Sequence, residues 1–193
     1  MVKQSGESDG FAGEVLRFER VWLRPQSGLE EQITELFDLL QAPLCGYLMK
    51  LLGSLAEAED VAQESFLRLY SQLRRGEPVP NARAWLFRVA HNLAVDRQRR
   101  EQRAEALTED GWRRLGKQLA DPAPQPDQTA LEHEKLARMG AALARLSPQE
   151  RHCLYLRLEG LRYREIAEVL GIALPTVVTF LTRGIQKLTK DLQ

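Results

Sequence analysis

Cysteine and histidine are scarce in this chain of 193 residues, which holds two of the first and three of the second. Cys45 and Cys153 stand far apart, with no CxxC spacing between them. Such a pair reads as buried thiols rather than a bridge or a metal site. His91, His133 and His152 are scattered, so no metal constellation and no nucleophile–base set is visible. The expectation is a protein without cofactor or metal, and not an enzyme. Runs of Val, Ile and Thr are nearly absent, which excludes a sheet-rich fold. No apolar run approaches the length of a membrane span. The opening residues, MVKQSGESDG, are polar and carry no signal-peptide core, so a cytoplasmic location is expected.

What is present is helix-forming residues in abundance. Leu, Ala, Glu, Arg and Gln dominate, and 44% of the chain is hydrophobic, enough for a packed core. The expected class is all-α, as two small helical domains joined by a flexible linker. The net charge of zero conceals a segregation of sign. Residues 29–64 hold eight acids and one base; residues 82–103 hold six arginines against two acids. Residues 104–134 hold seven acids against three bases, and residues 151–190 hold seven bases against three acids. Two basic patches separated by an acidic stretch suggest two nucleic-acid contacts. The first acidic segment suggests a positively charged protein partner. Taken singly, such runs are also what solvated helix faces look like.

Helix signals divide the chain. Residues 1–28, in which Val15, Phe18 and Trp22 form a possible helix face, are an extension to which no role is assigned. Residues 29–52 read as helix, with Pro43 expected to kink or break it and Gly53 to stop it. Ser54 can cap a helix over 55–73, whose apolar side carries Leu55, Ala62, Phe66, Leu69 and Leu73. Its other side carries Glu57, Asp60 and Glu64, with Gln63 beside them. RRGEPVP breaks the pattern, and Asn81 can cap the next helix. There Trp85, Leu86, Val89, Ala90 and Leu93 are expected inside. Arg83, Arg88, Asn92, Asp96, Arg97, Arg99 and Arg100 are expected outside, and Phe87 is open between core and base stacking. DPAPQPDQ at 121–128 marks a linker. Leu136, Met139, Leu143 and Leu146 are in helical register over 131–146. Ser147, Pro148 and Glu150 spell a capping box for a helix over 148–159.

The stretch RYREIAEVLGIALPTVVTFLTRGIQK, residues 162–187, reads as a helix-turn-helix. Ile166, Ala167, Val169 and Leu170 line one side of a first helix, Gly171 makes the turn, and Ile172 plugs inward. Pro175 sits in the first turn of a second helix, whose Val177, Leu181, Ile185 and Leu188 recur at helical spacing. Such a motif presents its second helix to the DNA major groove.

In order, these segments resemble the two conserved regions of a bacterial RNA polymerase sigma factor of the extracytoplasmic-function type. AEAEDVAQESFLRLY (56–70) resembles the segment that docks on the polymerase clamp. NARAWLFRVAHNLAVDRQRR (81–100) resembles the helix that recognises and helps melt the minus-ten element. LSPQERHCLYLRLEGLRYREIAEVLGI (146–172) resembles the start of the module that binds the minus-thirty-five element. The resemblance implies an N-terminal extension (1–28), a region 2-like domain (29–103), an acidic linker (104–130) and a region 4-like domain (131–193).

The resemblance also implies roles for residues. Glu57, Asp60, Gln63 and Glu64 would face the clamp of the largest polymerase subunits. The 76–82 loop with Asn81, and the start of the next helix with Phe87 and Arg88, would hold a flipped base. Asn92, Asp96, Arg97, Arg99 and Arg100 would lie along the promoter strand. Arg162, Arg164, Thr176, Val178, Thr179, Phe180 and Arg183 would meet the second element. The implied partners are core polymerase, promoter DNA and an anti-sigma factor. One departure stands out: where such factors follow Thr-Val with basic residues, this chain has Thr176-Val177-Val178-Thr179-Phe180. Val178 and Phe180 would then read thymine methyl groups or pack on a partner. Two other classes stay open: a stand-alone helix-turn-helix regulator, and a sigma-derived interaction protein with weak DNA binding.

Overall fold

The computed structural model describes residues 28–106 and 138–192. The 1–27 part of the extension, residues 107–130 of the expected linker, and the Leu136 end of the 131–146 stretch lie outside the described residues. Packing divides the chain between Ala94 and Val95.

The first unit is built from α1 (Leu29–Leu52), α2 (Leu55–Arg74) and the first part of α3 (Ala82–Ala106). In α1, Leu36, Leu40, Leu44, Tyr47 and Leu48 recur at the helical repeat, and all are buried. Pro43 lies inside this helix and does not break it. The proline removes one intrahelical hydrogen bond at a cost of about 3 kcal/mol. The buried leucines flanking it, Leu40 and Leu44, hold the helix across that gap. Gly53 closes α1 at φ 74°, a left-handed conformation cheap only for glycine.

Ser54 opens α2, its hydroxyl accepting from the Glu57 N–H at 3.4 Å. Ala58, Val61, Ala62, Ser65, Phe66 and Leu69 form the buried side. The Ser65 hydroxyl, buried among them, donates to the Val61 carbonyl at 2.7 Å. Phe66 packs on Phe37 of α1, with ring centres 4.9 Å apart. Leu55, expected on the apolar side, is instead 57% exposed, at the first position of the helix.

Asn81 caps α3 through its side-chain oxygen, which accepts from the Ala84 N–H at 3.0 Å. The buried positions are Ala82, Ala84, Leu86, Phe87, Ala90 and Ala94. Four of these are alanines, so most of the buried line of α3 is small. Phe87 is fully buried, its ring 5.8 Å from that of Tyr47. The Tyr47 hydroxyl reaches His91 Nδ1 at 2.7 Å, tying α1 to α3 a turn further on.

The second unit contains a short helical stretch at 138–144, then α4 (Pro148–Leu158), α5 (Tyr163–Leu170) and α6 (Leu174–Leu192). The expected capping box forms: the Ser147 hydroxyl accepts from the Glu150 N–H, and Glu150 accepts from the Ser147 N–H. Gly171 turns the chain at φ 64°, and α5 and α6 meet at a bend of 104°. Val177 and Leu181 of α6 pack inward with Ile166 and Val169 of α5 and Cys153 and Leu156 of α4 among the buried residues. Ile185, expected inside, is 52% exposed. The buried stripe runs Val177, Leu181, Gly184, a repeat that has rotated past position 185. Met139, placed in the 131–146 register, is likewise exposed.

Candidate polymerase and nucleic-acid interfaces

The acidic stripe stands on the side of α2 opposite its buried residues. Asp60, Gln63 and Glu64 are exposed, while Glu57 is half-buried beside the Ser54 cap. Glu64 accepts from Arg68 Nε at 2.8 Å, an exposed pair one turn apart. Leu67 lies seven residues after Asp60, on the same stripe, and is 56% exposed. Sequence reasoning passed over it, although its spacing from Asp60 and Glu64 places it there. Trp85, expected in the core, is half-exposed and lines a shallow depression with Glu64, Leu67, Arg68, Ser71, Gln72 and Arg75. The acidic face therefore carries two apolar groups able to anchor a partner.

The basic face of α3 is assembled differently from the expectation at one position. Phe87 cannot hold a base, because its ring is fully enclosed by the core and packed on Tyr47. The helical phase explains why Phe87 is inside and Trp85 is not. Ala82, Leu86, Ala90 and Ala94 set the buried line, and Phe87 falls beside it while Trp85 falls off it. Asn92 and Asp96 are exposed, as are Arg99 and Arg100; Arg88 and Arg97 are half-buried. Arg99 and Asp96 approach only to 4.0 Å, both well exposed, so this contact leaves the guanidinium accessible. Asn81 is half-buried and engaged in its cap.

In the second unit Arg162, Arg164, Val178, Thr179 and Arg183 are exposed, and Thr176 and Phe180 are half-buried. Arg162 occupies the cap position of α5, its N–H donating to Glu165 at 2.7 Å. The Arg157 guanidinium lies 5.6 Å from the centre of the Tyr163 ring, within cation–π range. Its Nη1 also donates to the Leu161 carbonyl at 3.0 Å, fixing the turn that leads into α5. Further along α6, Lys187 reaches a carboxylate deep in the unit, Glu150, at 2.7 Å. The two thiols take no part in these surfaces. Burial pushes Cys153 up to about 11, and burial followed by the Glu59 charge raises Cys45. Burial, then the Arg151 charge, holds His152 below the ordinary imidazole value.

An acidic helix face, a basic helix and a helix-turn-helix, in that order, are the parts of a promoter-specificity factor. Comparison with known proteins gives the same class. Residues 36–104 match sigma-70 region 2, and residues 136–188 match sigma-70 region 4. The chain is 34% identical to the extracytoplasmic-function sigma factor SigL of Mycobacterium tuberculosis over 165 residues, covering 82% of this chain and 87% of that protein. It is 27% identical to SigW of Bacillus subtilis, covering 87% and 92%. It is 36% identical to SigE of Mycolicibacterium smegmatis over 72% of this chain, although it spans only 53% of that longer relative. Among solved structures, the sigma factor RpoE of Bartonella quintana, held with the anti-sigma factor NepR, shares the fold at a TM-score of 0.60 and 20% identity, covering 82% and 95%. CnrH, in complex with the cytosolic domain of CnrY, does so at 0.57 and 20%, covering 93% and 96%.

The chain belongs to the sigma-70 family, as a sigma factor of the extracytoplasmic-function type. It directs RNA polymerase core to promoters and acts in transcription initiation. Among the described residues, no single helix is long and apolar enough to cross a membrane.

Proposed function

We propose that the two kinds of charged surface divide the work of initiation. The α2 stripe of Asp60, Gln63 and Glu64, with Leu67 and Trp85 at its edge, docks on the basic side of the polymerase clamp. The α3 residues Asn92, Asp96, Arg97, Arg99 and Arg100 follow the promoter strand at the minus-ten element, with Arg88 and Asn81 nearer the melted bases. Arg162, Arg164, Thr176, Val178, Thr179 and Arg183 meet the minus-thirty-five element. The observation that carries this reading is that Asp60, Gln63 and Glu64 are exposed together on one side of α2, while Asn92, Arg99 and Arg100 are exposed on α3. A carboxylate face repels phosphate, so it suits a protein partner, while guanidinium groups release counterions from DNA.

On this reading the protein performs no chemistry of its own and works in the cytoplasm. The two structural neighbours, each held with an anti-sigma factor or a cytosolic domain, support an inhibitory protein partner for this chain as well. Run-off transcription tests the proposal. Core polymerase should give promoter-specific RNA only when this chain is added. Specific duplex binding by the chain alone, with no such transcript, would instead indicate a stand-alone regulator.

A further inference from the structure

We infer that α6 reads thymine methyl groups in the upstream promoter element, through Val178, Thr179 and Thr182, and draws little of its affinity from charge. The inference rests on the reading that the second unit binds that element.

The buried line of α6, Val177, Leu181 and Gly184, fixes which side faces out. On that side stand Pro175, Val178, Thr179, Thr182, Arg183 and Gln186, all exposed. A helix entering the major groove touches base edges with its N-terminal turns. Over those turns this face offers methyl and methylene groups, the hydroxyls of Thr179 and Thr182, one amide and a single guanidinium. Val178 is 42% exposed with no polar atom in its side chain. The Thr179 hydroxyl donates to the Pro175 carbonyl at 2.9 Å. Its donor capacity is therefore taken up within the helix, and its methyl group remains for contact. Lys187, which would add charge further along, is held by Glu150 at 2.7 and 2.9 Å.

Bases are distinguished in the major groove by their hydrogen-bonding atoms and by the thymine C5-methyl, which apolar side chains and the Thr methyl recognise. With one guanidinium, Arg183, this face can make the bidentate contact to guanine O6 and N7 at a single position. It can exclude water from methyl groups. Each methyl so covered should be worth about fourfold in binding, the usual return for burying one methyl-sized group. Phe180, half-buried on the flank nearer the core, stands apart from this face.

The test uses holoenzyme reconstituted from the full chain and core polymerase. A promoter is first selected from a library randomised in the upstream element. Each upstream thymine is then replaced singly by uracil, which removes only the C5-methyl. The expected result is a loss of about fourfold in open-complex formation at two or more thymines. Val178→Ala and Thr182→Ser should each erase the sensitivity at one of them. Melting curves of both variants check folding, and the uracil series on the unaltered chain stands without them. Open complexes indifferent to uracil at every upstream position, or a selected element without A·T pairs, would overturn the inference and leave the sigma reading intact. Failure to obtain any promoter-specific transcript would overturn both.

Discussion

Glu150 and Lys187 join opposite ends of the second unit: the first turn of α4 and the last turns of α6 meet at 2.7 Å, 37 residues apart in sequence. Glu150 is buried and Lys187 half-exposed. Burial alone would push the carboxyl up, but the hydrogen bonds from Lys187 and Ser147 together outweigh it and hold it below its ordinary value. The same carboxylate completes the α4 capping box. One side chain thus starts α4 and ties the later turns of α6 to it.

Lys187→Met should destabilise the second unit by about 1–3 kcal/mol, less than a fully buried pair because the ammonium is partly solvated. The sign of the pH dependence follows from the depressed value. The native carboxylate contributes stability above its unfolded value, near 4.3, and that contribution is lost as pH falls through the lower folded value. In the variant, burial is left with only the Ser147 bonds against it, so the carboxyl rises. The stability gap between the two proteins should therefore be widest at neutral pH and close as the solution is acidified. Urea melts at pH 7 and below 4 measure it.

Gly184→Ala should stabilise the same unit by about 0.5–1 kcal/mol, the helix-interior difference between the two residues. A Cβ at position 184 would meet Glu150 Cβ at 3.8 Å, an ordinary contact. Thermal melting checks it, and a loss of stability would mean that α4 and α6 pack closer than this.

Phe87→Ala should cost about 3–5 kcal/mol in the first unit by opening a cavity beside Tyr47. Trp85→Ala should cost far less in stability and should weaken polymerase binding. The opposite ranking in a pair of urea melts would return Phe87 to the surface.

Arg99→Ala with Arg100→Ala should lower promoter opening and reduce the salt slope by about one for each phosphate that is no longer neutralised. Folding should be unchanged, since both side chains are exposed. Titration of open-complex formation against salt reads the slope.

Much of this molecule was legible from local chemistry. The Ser54, Asn81 and Ser147 caps and the glycines at 53 and 171 act over a few residues, so their spacing in the chain sufficed to find them. The acidic stripe followed from helical repeat alone. What escaped depended on partners distant in sequence. Pro43 stays helical because leucines on either side of it are packed by other elements. Phe87, open between core and surface in the sequence, is buried, and Trp85, expected inside, is half-exposed, because the alanines of α3 set a phase that composition did not reveal. The Glu150–Lys187 contact spans two helices, and nothing near either residue announces it.

The most direct measurement is the affinity of core polymerase for the chain carrying Asp60→Arg and Glu64→Arg, read beside its melting curve. Native melting and a loss of binding of at least about tenfold, the factor for ~1.4 kcal/mol, are expected. Binding at the affinity of the unaltered chain would contradict this and move the docking face away from α2.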